Sequence, residues 1–209
     1  MVRPRFAKLA PEQQQKILRA AVDEFAAHGF HDASLNRIIE AAGISKGSLY
    51  YYFDGKDDLY VYAVRTELEG LFARLGPFPL PDEESPDAFW STLERYYFLL
   101  MSALIDSPQL AALIRGWIAA STTPALRQAQ QAVEQAMGPW LLQALAAGQR
   151  AGAVRTDLPP ALLIAVVSGM GQAMDTWLLV EEPDRDELPQ LISALIEMIR
   201  GAVQPVAAP

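Results

Sequence analysis

Apolar residues recur along most of the chain at intervals of three and four positions, the spacing of one face of an α-helix. The first run is predicted to stop at Gly29, and its apolar members are Ile17, Leu18, Ala21, Val22 and Phe25. No segment alternates convincingly as a half-buried strand would, so the predicted fold is all-α with about nine helices. The predicted helices span residues 11–28, 34–42, 46–53, 56–75, 87–105, 108–120, 124–151, 159–180 and 188–203.

Turn residues and prolines separate these helices. Ser34 is placed to cap the second helix, and Gly43 lies in a tight turn before the third. Residues 76–86 contain four prolines and are predicted to form an irregular connection. Pro139 falls inside the seventh predicted helix, where we expect a kink or a break.

The second and third helices, joined by a turn that contains glycine, have the spacing of a helix-turn-helix unit. Four apolar residues are expected to hold the two helices together: Ile38, Ile44, Leu49 and Phe53. The free face of the third helix would then show Lys46, Ser48, Tyr51 and Tyr52, with small residues at 47 and 48. Such a helix fits the major groove of DNA, although any helical protein contains helix-turn-helix pairs.

Composition excludes several other classes of protein. The chain has 209 residues, no cysteine and two histidines, which excludes disulfide scaffolds and thiolate sites and nearly excludes a multi-histidine metal centre. His28 and His31 flank Gly29 without a carboxylate cluster, so no metal is predicted, and no serine–histidine–acid grouping supports an enzyme. We see no signal peptide and no membrane span, and we expect a cytoplasmic protein that needs no cofactor.

The net charge of −8 is distributed unevenly along the chain. Residues 1–60 hold eight Lys/Arg and eight Asp/Glu, including all four lysines, whereas residues 61–209 hold nine Arg and seventeen Asp/Glu. Either the distribution is chance, or the first segment approaches a polyanion that the second does not. An acidic protein can bind DNA when its basic groups are local.

Three motifs together resemble the TetR family of transcriptional regulators. They are Phe25-Ala-Ala-His-Gly29-Phe30, the run from Ser34 to Phe53, and Lys56-Asp-Asp-Leu59, and the resemblance covers residues 12–62. More weakly, residues 148–157 and the helix after them resemble later parts of many family members. Ser34 stands where threonine is commoner and keeps the hydroxyl cap, and Ile39 stands where alanine is commoner.

The resemblance implies a homodimeric bacterial-type regulator that binds a double-stranded DNA operator. It implies a DNA-binding head at residues 1–55 and a ligand-binding and dimerisation body at 56–209, joined by the helix 56–75. By position, Lys46, Gly47 and Ser48 would approach bases, and Asn36 a base or a phosphate. The remaining DNA-contact candidates are Ser34, Ser45, Tyr50, Tyr52 and Lys56, with Tyr51 either packing or touching sugar. Arg3, Arg5 and Lys8 would form an arm on the DNA backbone or a solvated tail.

The body is rich in large, adaptable apolar residues that line ligand pockets or fill ordinary cores. Asp175 interrupts an otherwise apolar helix and could orient a cationic ligand, or could be an exposed or capped acid. We therefore expect a small apolar or cationic effector, with a pocket drawn from Tyr97, Met101, Trp117, Trp140, Met170, Met174, Asp175 and Trp177.

Small residues on successive turns, among them Gly169 and Ala173, would let another helix approach closely. We expect the dimer interface on helices 159–180 and 188–203, with packing inside one subunit as the alternative. The functional hypothesis is a repressor that an effector releases from a palindromic operator. The alternatives are a DNA-binding regulator without a small-molecule effector, and a helical protein that sequesters a ligand.

Overall fold

The computed structural model describes residues 4–76, 79, 85–119 and 123–205, apart from the side chains at 119, 125 and 131–140. In this part of the chain a short 3-10 helix, Phe6–Lys8, precedes nine α-helices and no strand is present, which confirms the all-α prediction. The helices are α1 Pro11–Asp32, α2 Leu35–Ala42, α3 Lys46–Tyr52, α4 Lys56–Leu75, α5 Pro86–Ile105, α6 Pro108–Ala119, α7 Pro124–Arg150, α8 Pro160–Glu181 and α9 Leu188–Val203.

The helix predictions at Gly29 and Pro139 have different outcomes. Gly29 adopts the non-helical φ 67° and ψ 175°, so it interrupts α1 as the sequence predicts, and a short second stretch of helix continues to Asp32. Glycine adopts this positive φ without a Cβ clash, so the chain bends there. At Pro139 the predicted break is wrong, because α7 runs through this position from Pro124 to Arg150, and the predicted kink stays a prediction.

The chain divides into two compact units. Unit 1 comprises Met1–Arg74 and Asp106–Ala132, and unit 2 comprises Leu75–Ile105 and Val133–Pro209. Unit 1 therefore contains α1–α4, α6 and the start of α7. The division into a head and a body after residue 55 is a functional one, and it stays a prediction.

Unit 1 is built around α1, which packs against both α2 and α6. Phe25, Phe30 and Trp117 surround the buried ring of Tyr60, with ring centroids 4.8, 5.1 and 6.1 Å away. The Tyr60 hydroxyl donates to the carbonyl oxygen of Leu113 at 3.2 Å, so the ring is buried with its polar atom satisfied. Burial raises the pKa of Tyr60 well above its ordinary value.

Unit 2 holds α5 against α9, with α8 also touching α9. Its core contains Phe89 and Trp90 of α5 and the face of α9 formed by Ile192, Ile196 and Ile199, all buried. After α7 the chain turns tightly, since the backbone N–H of Ala153 donates to the Gly148 carbonyl at 2.8 Å. This turn brings residues 153–155 against the end of α9.

Candidate nucleic-acid interface and ligand site

Local hydrogen bonds define the ends of α2 and α3. The Ser34 hydroxyl accepts from the backbone N–H of Arg37 at 3.5 Å, as the sequence predicts for a cap. Gly43 ends α2 in the left-handed region with φ 63°. The Ser45 hydroxyl accepts from the backbone N–H of Ser48 at 3.0 Å and begins α3. Ser45 and Ser48 are therefore engaged with each other at the start of this helix.

Apolar contacts then hold the helix-turn-helix unit together. Ile38, Leu49 and Phe53 are buried, as the sequence predicts, and Ile44 is half-buried. On the opposite side of α3, Lys46, Gly47, Tyr50 and Tyr51 are exposed. The predicted locking residues are thus buried or half-buried, and much of the other face of α3 is accessible to solvent.

An ion pair fixes α2 against α1. Glu24 is buried, and its carboxylate accepts from the backbone N–H of Ser34 at 2.7 Å and from Nε of Arg37 at 2.8 Å. The hydrogen bond from Arg37 is the largest of the effects that hold the pKa of Glu24 below its ordinary value. His28 lies 3.7 Å from the same carboxylate. The sequence did not single out Glu24, because nothing local to α1 reveals a partner thirteen residues away.

The outer face of α3 is exposed and carries the residues predicted to touch DNA. Lys46 and Gly47 are exposed, Tyr50 and Tyr51 keep 43% and 48% of their surface, and Ser48 and Tyr52 are half-buried. A lysine and phenol hydroxyls on one exposed helix can donate hydrogen bonds to phosphates or base edges. Asn36 of α2 is exposed as well.

The glycines at 43 and 47 meet different requirements. Gly43 needs its positive φ, and a Cβ there would lie 3.1 Å from Nζ of Lys16. At Gly47 a Cβ would meet only the Ser45 hydroxyl, at an ordinary 3.7 Å. The fold therefore requires glycine at 43 and accepts a side chain at 47.

The N-terminal segment is held against α3 by aromatic packing. Phe6 is buried, with its ring centroid 5.8 Å from Tyr52 and 4.9 Å from Phe53. This packing places Cζ of Arg5 over the ring of Tyr51, 4.5 Å from its centroid. Arg5 is thus beside the exposed face of α3, Lys8 is exposed, and Arg3 lies outside the described residues.

Lys56 has protein partners in this structure. Its Nζ donates to the carbonyl oxygens of His31 at 2.8 Å and Ala33 at 3.1 Å, and lies 5.0 Å from the centroid of Phe30. These contacts join the end of α1 to the start of α4. An ammonium has three donors, so a phosphate contact through the third stays a prediction. Among the described residues, no group of three or more metal-ligating side chains is present.

The residues predicted to bind an effector are distributed over both units. In unit 2 the Tyr97 hydroxyl donates to Oδ1 of Asp175 at 2.6 Å, and burial raises the pKa of both groups. Met101 and Met174 are buried, Met170 is half-buried and Trp177 is 44% exposed. Trp117 is buried in unit 1, and the side chain of Trp140 lies outside the description. Their ligand role stays a prediction.

A cavity of about 80 Å³ occupies another part of unit 2. It lies between the start of α5, the second half of α7, the start of α8 and the end of α9, and its wall includes Phe89, Trp90, Leu145, Leu163 and Val167. Of the seven predicted ligand residues whose side chains the structure describes, none is in its lining. The sequence prediction favoured methionine and aromatic side chains as pocket residues. The leucine, valine and isoleucine residues of the cavity wall recur at helical spacing, as the residues of any hydrophobic core do, so the sequence does not distinguish them from core residues.

Exposed apolar side chains mark the outer faces of α8 and α9. Trp177 and Val180 line a shallow groove on α8, and Val180 and Met198 keep 61% and 60% of their surface. By length and composition α8 could cross a membrane, although we predicted no span. Core helices of soluble proteins pass the same test, and Met174 and Leu178 of α8 are buried in unit 2.

Comparison with known sequences gives matches over part of the chain. Residues 17–63 match the family described as bacterial regulatory proteins, tetR family. The HTH-type transcriptional regulator RutR of Escherichia coli is 36% identical over 101 residues, which are 48% of this chain and 45% of RutR. The chain thus matches less than half the length of that relative. The uncharacterized HTH-type regulator TtgW of Pseudomonas putida is 34% identical over 105 residues, 48% of this chain and 68% of TtgW.

Solved structures resemble almost the whole chain. FadR of Bacillus subtilis, in complex with stearoyl-CoA, has a TM-score of 0.72 at 19% identity and covers 91% of this chain and 99% of its own. The fatty acid degradation regulator FadR of Bacillus halodurans gives a TM-score of 0.69 at 19% identity, with the same two coverages. At this identity the likeness shows a shared fold.

Proposed function

Because this chain belongs to the tetR family of bacterial regulatory proteins, we propose that it is a DNA-binding transcriptional regulator that acts as a homodimeric repressor. The proteins it is similar to are transcriptional regulators and not enzymes. We place its operator contacts on α3 and its effector site in unit 2. The protein would act in the cytoplasm and on the nucleoid when bound to DNA.

The observation that carries this proposal is the outer face of α3. Lys46 is exposed beside Gly47, where the fold does not require a glycine, and the two exposed tyrosines follow one turn later. A backbone without a side chain can approach base edges closely, and the lysine and tyrosines can bind the flanking phosphates. Ser34, Asn36, Ser45, Ser48, Tyr52 and Lys56 complete the proposed contact set.

The dimer is proposed from the outer faces of α8 and α9. Large apolar groups exposed on both helices are typical of a surface that another subunit covers. Two copies related by a twofold axis would present two α3 helices, so the operator would be palindromic or nearly so. FadR of Bacillus subtilis, which shares this fold, forms a complex with stearoyl-CoA, and we propose that this chain also binds an effector, an apolar or cationic one, in unit 2.

The test is selection of bound fragments from the source organism's genomic DNA at about 150 mM salt, followed by sequencing. We expect enrichment of one palindrome. Weak retention that is independent of sequence and disappears with added salt would contradict specific recognition.

On the selected duplex, Lys46→Ala should either reduce the salt slope of binding by about one unit or cost about 1–3 kcal/mol of discrimination at one base position. Arg65→Ala is the matched control, since Arg65 is an exposed cation of α4 paired with Glu69 at 3.3 Å. Equal retention of DNA by both variants would favour the alternative of a ligand-sequestering protein. A regulator without an effector would bind the operator normally and no ligand at all.

A further inference from the structure

The cavity of unit 2 has an apolar wall with one polar exception. The lining residues that the structure describes are leucine, isoleucine, valine, alanine, phenylalanine and a single tryptophan, Trp90, and none of these can carry a charge. Moving an ion into such surroundings is unfavourable without a partner of opposite charge. The wall therefore favours a neutral ligand over a cation or an anion.

Trp90 brings a buried hydrogen-bond donor to this wall. The residue is only 4% exposed, and within the part of the chain that the structure describes its Nε1 is buried without a hydrogen-bond partner. An indole N–H can only donate, and buried donors in native proteins are nearly always satisfied. Phe89 packs edge-on against the same indole at 5.2 Å, so the ring is held by its neighbours and the N–H is left over.

We propose that this cavity is the effector site and that its ligand is a compact, neutral, apolar molecule with one oxygen acceptor. The acceptor, such as a ketone carbonyl, would take the hydrogen bond from Nε1 of Trp90, while the hydrocarbon part fills the apolar wall. Because neighbouring side chains cover Nε1, the ligand reaches it by displacing part of the wall. The role of this ligand as an effector rests on the proposed function, whereas the existence of the binding site does not.

The half-buried acid of unit 2 is not an alternative anchor in this cavity. Asp175 already accepts from the Tyr97 hydroxyl at 2.6 Å, and neither residue belongs to the cavity lining. Both polar groups therefore have a partner, whereas the donor of Trp90 has none among the residues that the structure describes. The geometry favours an acceptor-bearing neutral ligand over the cationic ligand that Asp175 alone would indicate.

Three ring compounds of matched size test this proposal on the full chain without DNA: cyclopentanone, cyclopentane and cyclopentylammonium. The four tryptophans give four indole N–H signals in a ¹⁵N–¹H spectrum, and loss of one signal in Trp90→Phe assigns Trp90. We expect cyclopentanone to shift the Trp90 signal downfield and to bind more tightly than the other two. Cyclopentane should shift that signal little, and cyclopentylammonium should not bind.

Trp90→Phe keeps an aromatic ring in the wall and removes the donor together with part of the indole. Cyclopentane reports the change in volume, so Trp90→Phe should weaken cyclopentanone binding about tenfold relative to cyclopentane binding, and Trp177→Phe, at an exposed ring, should change neither. Equal effects of Trp90→Phe on both probes, or no binding of cyclopentanone, would overturn the proposal. If Trp90→Phe fails to fold, the order in which the wild type binds the three probes tests the proposal. Trp177→Phe then identifies the indole signal of Trp177, which should not shift.

The two proposals fail separately in these experiments. If the chain binds cyclopentanone through Trp90 but selects no operator, the binding site is supported and the proposed regulatory function is contradicted. If the chain selects a palindrome but binds none of the three probes, the regulatory function is supported and the binding site is contradicted.

Discussion

Single side chains show which positions of the helix-turn-helix unit serve the fold and which remain open. Gly43 has a conformation that other residues rarely adopt, and Lys16 lies close to it. Gly47 is exposed in α3 with room for a Cβ, and glycine is an unfavourable residue in a helix. A position that lowers helix stability without helping the fold is consistent with a role in close contact with a partner.

Substitution of this residue should separate stability from function. Gly47→Ala should raise the unfolding free energy by up to about 1 kcal/mol through helix propensity. It should weaken operator binding about tenfold, because the methyl group would stand between α3 and the DNA. Thermal unfolding and fluorescence anisotropy measure the two effects. Gly70→Ala is the control, since a Cβ there meets only Arg74 at 3.6 Å: it should stabilise α4 and leave binding unchanged. Unchanged binding by Gly47→Ala would remove the proposed close approach.

Asp175 is expected to make the stability of unit 2 depend on pH. Burial raises the folded-state pKa of this carboxyl above its ordinary 3.8, so the folded chain keeps a proton that the unfolded chain releases. The stabilisation is fully present below about pH 3.8 and is lost as the pH rises through the raised pKa. Asp175→Asn, which can still accept from Tyr97, should remove this dependence and raise the melting temperature at neutral pH by roughly 2–4 °C per 1 kcal/mol relieved.

The comparison is between melting curves of the wild type and the variant from pH 4 to pH 8. Asp157→Asn is a control whose effect should have the opposite pH dependence. The hydrogen bond from Arg155 lowers the pKa of Asp157, so the contribution of Asp157 to stability is lost as the pH falls. A difference between wild type and Asp175→Asn that stays constant with pH would contradict a raised pKa at Asp175.

At the scale of the elements, short segments position the exposed face of α3. The Glu24–Arg37 pair fixes the start of α2, and the buried ring of Phe6 attaches the N-terminal 3-10 helix next to the end of α3. Arg5 precedes Phe6 and stacks over Tyr51, so a cation outside the helix-turn-helix unit lies on the proposed DNA side. If α3 binds DNA as proposed, Arg5 would extend the interface beyond the helix-turn-helix unit.

Removal of the Arg5 cation should weaken DNA binding and make the binding less dependent on salt concentration. Arg5→Ala should reduce the salt slope by about one unit and the operator affinity several-fold, because one phosphate contact and the support of Tyr51 are lost. Arg5→Lys keeps the charge, so it should retain the salt slope and lose only the fraction of the operator affinity that depends on stacking of the guanidinium over Tyr51. Titrations at several salt concentrations measure both values, and an unaltered slope in Arg5→Ala would place Arg5 off the DNA.

At the scale of the whole molecule, the proposed function depends on an assembly of two chains. The outer faces of α8 and α9 carry Trp177, Val180 and Met198 in solvent, which is an unfavourable arrangement for a separate chain. Burial of these faces between two copies would remove that apolar surface from water. It would also set the distance between two α3 helices and hence the half-site spacing.

Charges on this surface should produce a monomer. Val180→Glu with Met198→Glu should shift the sedimentation coefficient to that of one chain and lower operator affinity by about 10²-fold or more, because the two half-sites no longer act together. Leu142→Glu, at an apolar residue of α7 that is 52% exposed, is the control and should stay dimeric. A doubly substituted protein that remains a dimer would place the interface elsewhere.

The helices and the DNA-contact candidates could be predicted because their signals are local. Apolar spacing, the Ser34 cap, the Gly29 interruption and the Gly43 turn each act within a few residues, and α9 has the predicted bounds, Leu188–Val203. The break predicted at Pro139 is wrong because the flanking turns of α7 continue the helix across the proline. The exposed face of α3 followed from the same local pattern, since its apolar residues identify the opposite side.

The ligand site could not be predicted in this way. Tyr97 and Asp175 are 78 positions apart, and the cavity wall combines four helices that meet only in the folded chain. Atoms contributed by distant segments decide whether the indole N–H of Trp90 has an acceptor. They also decide whether Lys56 already donates to backbone carbonyls. The sequence by itself determined the helices, their ends and the family's DNA-contact pattern, because backbone propensity and periodicity are properties of neighbouring residues. Only the tertiary structure decided which side chains meet, which polar groups stay unpaired and where a cavity remains, because packing joins residues that the sequence separates.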